Sequence, residues 1–186
     1  QDFFELLTLQ RRAEILEALD VAAGLVRRPC VAVVEDGHYV QGDLRLALPR
    51  GEEDWEARCW RAGAGGGPFL LAVNSLELSD ATVDWTPRVA AEHAAGAILT
   101  APGRPAELAN TPPETRKYGG LWVTEFRVWG PGASDVDALH LLAAAQTDSH
   151  IHVVHVVHRG TVESPFAAAD RRRMIAMLRS VEIDPS

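Results

Sequence analysis

Apolar residues recur at helical spacing over the first two dozen positions, then give way to the two-residue alternation of strands. Phe3, Phe4, Leu7, Ile15, Leu16 and Leu19 fit one helical face, and no Pro or Gly interrupts before Gly24. The spacing predicts a helix over Asp2 to Ala23, ended by that glycine. Its outer face, with Glu5, Arg11, Arg12, Glu14 and Glu17, reads as solvated, although a terminal amphipathic helix can also serve as a docking arm. Strand signals follow. Cys30 to Val34 is a β-branched run closed by the turn dipeptide Asp36-Gly37, and Leu44, Leu46 and Leu48 alternate with Asp43, Arg45 and Ala47 up to Pro49. Ala57 to Trp60 is a further short candidate, Gly63 to Pro68 reads as loop, and Phe69 to Leu78 as strand. The broken alternation at Asn74-Ser75 suggests a bulge.

The best-punctuated element is a middle helix: Thr86 is placed to cap it, Pro87 takes the first helical position, and Val89 to Leu99 continues it. Ala101 to Pro113, with four prolines, is expected to be extended or looped. Leu121 to Trp129 is a strand, and Gly130-Pro131-Gly132 turns the chain into a return strand, Asp137 to Ala145. Asp148-Ser149 reverses it again into Ile151 to His158. Strands joined by such short reversals must be antiparallel, because a parallel pair needs a longer crossover. Ser164-Pro165 opens a last helix, Phe166 to Arg179, and Val181 and Ile183 add a short packed tail. The expected architecture is α+β, a largely antiparallel sheet flanked by an N-terminal, a middle and a C-terminal helix. Residues 1–186 are read as one domain, since no repeat or boundary divides them.

The order of elements from Asp43 to Asp184 resembles the PsbP-like fold. The carrying segments are Asp43-Leu44-Arg45-Leu46-Ala47-Leu48-Pro49, the helix from Thr86 to Leu99, and Gly120-Leu121-Trp122-Val123-Thr124-Glu125-Phe126-Arg127-Val128. The return strand follows, then His152-Val153-Val154-His155-Val156-Val157 and a closing helix that runs into Leu178-Arg179-Ser180-Val181-Glu182-Ile183. That group includes the extrinsic photosystem II protein, a Ran-binding nuclear import factor, LpqN-type actinobacterial lipoproteins and small chaperones for secreted effectors. The helix at residues 1–24 and the Cys30 strand fall outside the resemblance, and no lipobox cysteine stands near Gln1. It implies a non-catalytic scaffold that binds proteins or small ligands.

Composition narrows the functional classes. A formal net charge of −8 opposes nucleic-acid binding, which depends on neutralising phosphates with Lys and Arg. No apolar run reaches the ~20 residues that span a bilayer. No signal peptide is evident, so the expectation is a soluble, cytoplasmic protein, although the chain begins at Gln1 and a removed leader stays open. Lys117 is the only lysine and Ala is abundant, a bias of GC-rich genomes such as those of actinobacteria. Cys30 and Cys59 lie in different predicted strands, and their spacing demands no bridge. No cofactor is expected.

The densest chemistry is the run from Asp148 to His158. Alternation places His150, His152 and His158 on one side of a strand and His155 on the other. His150 and His152 then form a His-x-His pair suited to one metal ion, with Asp148 nearby and His140 on the preceding strand as candidate third nitrogen. The competing reading makes His150 and His158 strand-end residues and His152 and His155 half-buried, hydrogen-bonded ones. A pH-sensitive surface is a third. Elsewhere, Gly63 to Gly67 lacks the sequence and the following helix of a phosphate cradle, and no serine sits in a Gly-x-Ser-x-Gly elbow. Glu52-Glu53-Asp54 and Arg171-Arg172-Arg173 read as solvated charge.

Trp122 and Trp129 fall on opposite faces of one strand, so cover on one face only would leave one of them exposed for a partner. Three functions are therefore carried forward. The first is a non-enzymatic binding domain, for a protein partner or a second copy, through a surface with Trp122, Phe126, Trp129 and Leu141. The second is a metal-binding protein or metal-dependent enzyme using His150, His152 and His140. The third is a carrier of a small apolar ligand, its pocket lined by Trp122, Phe126 and Leu141.

Overall fold

The structure, a computed structural model, describes residues 31–50, 55–58, 61–64, 67–78, 84–130, 136–161 and 168–183. The helix expected over Asp2 to Ala23, both cysteines, Glu52-Glu53-Asp54 and Ser164 to Phe166 lie outside the described residues.

Two antiparallel sheets and two helices make up the described fold. The larger sheet has the order β4-β5-β6-β11-β10-β9-β7 and consists of Trp55–Arg58 (β4), Arg61–Ala64 (β5), Phe69–Glu77 (β6), His150–Thr161 (β11), Val136–Gln146 (β10), Leu121–Gly130 (β9) and Ala109–Asn110 (β7). Glu114–Tyr118 (β8) pairs with β9 off this path. The smaller sheet, β1-β2-β3-β12, consists of Ala32–Glu35, His38–Gln41, Leu44–Ala47 and Glu182–Ile183. The two helices are α1, Pro87–Leu99, and α2, Ala168–Arg179.

The expected up-and-down arrangement of the last third is present: β9, β10 and β11 pair consecutively and antiparallel, and β6 closes against β11. Alternation then assigns the faces. Leu139, Leu141 and Ala143 of β10, Val154 and Val156 of β11, Phe69, Leu71 and Val73 of β6 and Val123 of β9 share one core. Tyr39, Leu44 and Leu46 of the small sheet and Met174, Met177 and Leu178 of α2 cover it. Phe126 and Val128, Leu142 and Ala144, and Ile151 and Val153 point the other way, under Ala90, Ala91 and Ala95 of α1. The central strands are thus buried on both faces, and small alanines bring α1 close to the sheet.

Local chemistry explains the punctuation. Asp36 and Gly37 both take positive φ, 48° and 73°, the conformation of a two-residue hairpin turn. Thr86 Oγ1 accepts the Val89 N–H at 3.3 Å, and Pro87 opens α1. Ser180 ends α2 by donating its N–H to Ala176 and Met177, and its Oγ accepts the Ala47 N–H at 2.8 Å, tying the helix end to β3.

Some expectations need correction. The register between β6 and β11 runs without a break from His150↔Glu77 to His158↔Phe69, so no bulge interrupts Asn74-Ser75. The alternation breaks there because β6 is apolar first toward the α2 core and later, at Leu78, toward the α1 core. Gly63 and Ala64, read as loop, belong to β5, which lies between β4 and β6, and β2 and β8 were not expected at all. Of the three neighbouring arginines, Arg171 is no mere surface charge: it donates to Glu125 through Nε at 2.9 Å and to Tyr118 Oη at 2.7 Å.

Candidate functional site

The histidines divide between the two faces as alternation requires. On the α2 side, His150 and His152 stack with ring centroids 6.0 Å apart, and each Nδ1 is held by a neighbouring hydroxyl, Ser149 Oγ at 2.8 Å and Ser75 Oγ at 2.6 Å. Burial lowers the pKa of His152, and the nearby His150 adds to that, against an opposing pull from Asp43. His152 is more enclosed than the half-buried state expected of it, at 8% exposure.

Farther along the same face, His158 lies edge-on to Phe69, with Nε2 3.4 Å from Asp170 Oδ2 in the first turn of α2. Burial lowers its pKa, while Asp170 and Asp137 raise it. Asp137 itself is buried and accepts from Arg127 Nε at 2.5 Å and from Arg127 Nη2. With Arg171–Glu125, these pairs form a polar ribbon beneath the start of α2. Arg171–Glu125 joins α2 to β9 and His158–Asp170 joins it to β11, so the ribbon ties the start of the helix to the sheet.

On the α1 side, Phe126, His140 and His155 form a buried stack, with centroid separations of 4.6 and 5.1 Å. His140 Nδ1 and His155 Nε2 share a hydrogen bond at 2.9 Å, one ring nitrogen donating and the other accepting. Burial holds the His155 imidazole well below its ordinary value of 6.5, and proximity to His140 adds to this. Substrate has no access to this pair; its rings serve as packing.

The opening in the sheet lies elsewhere. The β9–β10 ladder ends at Leu142↔Thr124, while β10 stays paired with β11 as far as Gln146↔Ile151. Along its other edge the first half of β9, Leu121 to Glu125, pairs with β8. A cleft of about 270 Å³ occupies the split. One wall is Gly119 and Leu121, the other Ala143, Ala144 and Ala145, with Val154 beside them and Leu178, Arg179 and Val181 above. Gly119 has φ +56°, and a Cβ there would come within 2.7 Å of Arg179 Nη2, so the bare glycine is what lets the guanidinium lie across it.

Set against this geometry, the residues singled out from sequence scatter. His150 and His152 come together, but His140 is on the opposite face with the sheet between them. Among the described residues no group of three or more His, Cys, Asp or Glu is arranged to hold a metal ion. Phe126 and Leu141 are buried in opposite cores. Trp122 lies on the α1 side under the Arg88 guanidinium, 4.6 Å from its ring centroid, with Lys117 Nζ at 5.5 Å. Trp129 is 41% exposed. None of these four lines the cleft. Arg179, Gly119 and the alanines were missed; the run Ala143-Ala144-Ala145, three small residues directly after Leu139, Leu141 and Leu142, was the available signal.

Fold and cleft together define an α+β domain on a largely antiparallel sheet, with a cleft between two adjacent strands. Among the described residues no helix is long and apolar enough to cross a membrane. No known protein family and no curated protein matches the chain. Among solved structures it is similar to LpqN of Mycobacterium tuberculosis, described as involved in cell envelope biogenesis, at 11% identity and a TM-score of 0.43. The match covers 86% of this chain and 88% of that one. A likeness of that size carries no functional argument.

Proposed function

We propose that this chain is a non-catalytic binding domain for a small amphipathic molecule, which it holds in the cleft between β9 and β10. The observation that supports this is the cleft's lining: alanine, leucine and valine side chains, one glycine and one arginine, without a carboxylate, imidazole, thiol or hydroxyl side chain among them. The surface it presents is more polar than apolar, through backbone groups and the guanidinium, so it suits a molecule with both characters and offers no group for acid–base or nucleophilic chemistry. The finer fold assignment, PsbP-like over residues 43–184 of a single domain, belongs to the same proposal and is supported by the order of strand, helix, three-strand meander and helix. A thermal-shift series with uncharged probes of six to ten heavy atoms tests the binding reading. At a hundredfold excess over Kd a cleft ligand adds about 2.7 kcal/mol, or about 5–10 °C for a chain of this size. Ala145→Leu, which fills the cleft, abolishes the shift. Probes that leave the melting temperature unchanged defeat the proposal.

A second reading, docking of a protein partner or a second copy, is supported by Val31, Val33 and Val34, which are exposed on and beside β1. Light scattering across a concentration series, with Val33→Lys as the control, tests it; a strict monomer that captures no partner counts against it.

A further inference from the structure

The ligand-binding reading leaves the ligand's chemistry open, and the cleft's polar features narrow it. Arg179 is the only charged residue on the lining, and it forms no ion pair with a carboxylate of the described residues. It is the last residue of α2. A helix C-terminus carries roughly half a negative charge, so the full charge of the guanidinium leaves that end of the cleft net positive. Gly119 leaves room for the guanidinium at the opening, because a side chain at that position would displace it.

The backbone adds donors. Successive residues of an antiparallel strand turn their N–H and C=O groups to alternate neighbours. Over Ala143 to Gln146, β10 pairs with β11 alone, so alternate residues of this stretch direct an N–H and a C=O toward the side that β9 has left. A planar anion placed there meets a forked guanidinium with geometry matched to a carboxylate. Behind this polar mouth the walls are Leu121, Val154, Leu178 and the alanines. A volume near 270 Å³ equals roughly nine water molecules at about 30 Å³ each, which is room for a chain of about eight to ten heavy atoms.

We propose that the cleft takes a straight-chain aliphatic carboxylate of about eight carbons, its tail against Leu121, Val154 and Leu178 and its head group on Arg179. This rests on the ligand-binding reading above, and the test separates the two. Isothermal titration of the full chain at pH 7.5 with octanoate and with 1-octanol compares one tail carrying two head groups. Octanoate is expected to bind about tenfold more tightly than octanol, Arg179→Gln to bring the two level by weakening octanoate alone, and Ala145→Leu to abolish both. Arg179 is exposed, so Arg179→Gln keeps the fold, which its melting temperature checks. Equal affinities in the unsubstituted protein overturn the carboxylate assignment and leave the apolar cleft standing. Octanoate binding that survives Ala145→Leu places the site elsewhere and overturns the assignment. Silence from both probes overturns this inference and the binding reading together.

Discussion

Replacing His155 with leucine separates the acid sensitivity of this fold from its packing. The ring is buried, is flanked in register by Ala72 and Leu142, and shares its hydrogen bond with His140. Its pKa is held well below 6.5 by burial first and by His140 second. Above pH 6.5 the ring is neutral in both folded and unfolded chains, and the native state bears no penalty. As the pH falls through 6.5 the unfolded chain takes up a proton that the folded core refuses. The unfolded state then binds more protons, and stability drops with falling pH by up to about 1.36 kcal/mol per unit while the folded ring stays neutral. Between pH 7.5 and 5.5 His155 alone removes about 1.4 kcal/mol. His152 and His158 are shifted in the same direction, so they steepen the acid slope of every variant alike. Urea unfolding followed by tryptophan fluorescence at pH 7.5, 6.5 and 5.5 measures the slope. His155→Leu strands His140 Nδ1 and lowers stability at pH 7.5 by about 1–3 kcal/mol, yet its loss between pH 7.5 and 5.5 is smaller by about 1.4 kcal/mol. Parallel pH profiles for the two proteins would refute a neutral, proton-excluding His155.

Leu141 is wholly enclosed between the large sheet and the α2 side of the core, so Leu141→Ala is expected to cost about 2–5 kcal/mol in urea unfolding; a loss below 1 kcal/mol contradicts that placement. Arg171→Ala removes the hydrogen bonds to Glu125 and Tyr118 and should cost about 1.5–3 kcal/mol, toward the low end because the guanidinium is partly exposed. A double-mutant cycle with Glu125→Gln that returns no coupling removes this pair as a helix anchor. His140 lies across the sheet from His150 and His152, so titration calorimetry with zinc is expected to give no stoichiometric uptake by these three; one zinc per chain that is lost in His140→Ala would contradict the face assignment.

Legibility in the sequence followed the range of the interactions involved. The meander of β9, β10 and β11, the turn at Asp36-Gly37, the capped start of α1 and the division of the histidines between faces are all set by neighbours within a few residues. Turn conformers, capping hydroxyls and strand alternation act at that distance, so the linear pattern showed them. Strands β2, β5 and β8 escaped notice because a short strand's apolar signal is weak and its partner supplies the reason for its existence. In β6 the signal misled, since Leu70 and Ala72, opposite the buried face of Phe69, Leu71 and Val73, are apolar although only half-buried, so no polar side sets the period before Asn74. The cleft was least visible. It exists because β9 and β10 part after Leu142↔Thr124 while β10 goes on with β11, and because the end of α2 returns Leu178 and Arg179 to that gap from more than thirty residues farther along the chain. The sequence by itself determined the reversals of the β9, β10 and β11 meander and the alternation that divides their side chains between two faces. Only the tertiary structure decided where β9 and β10 part and what lies over the gap, because that depends on how α2 and the rest of the sheet pack from far along the chain, and local periodicity carries no record of it.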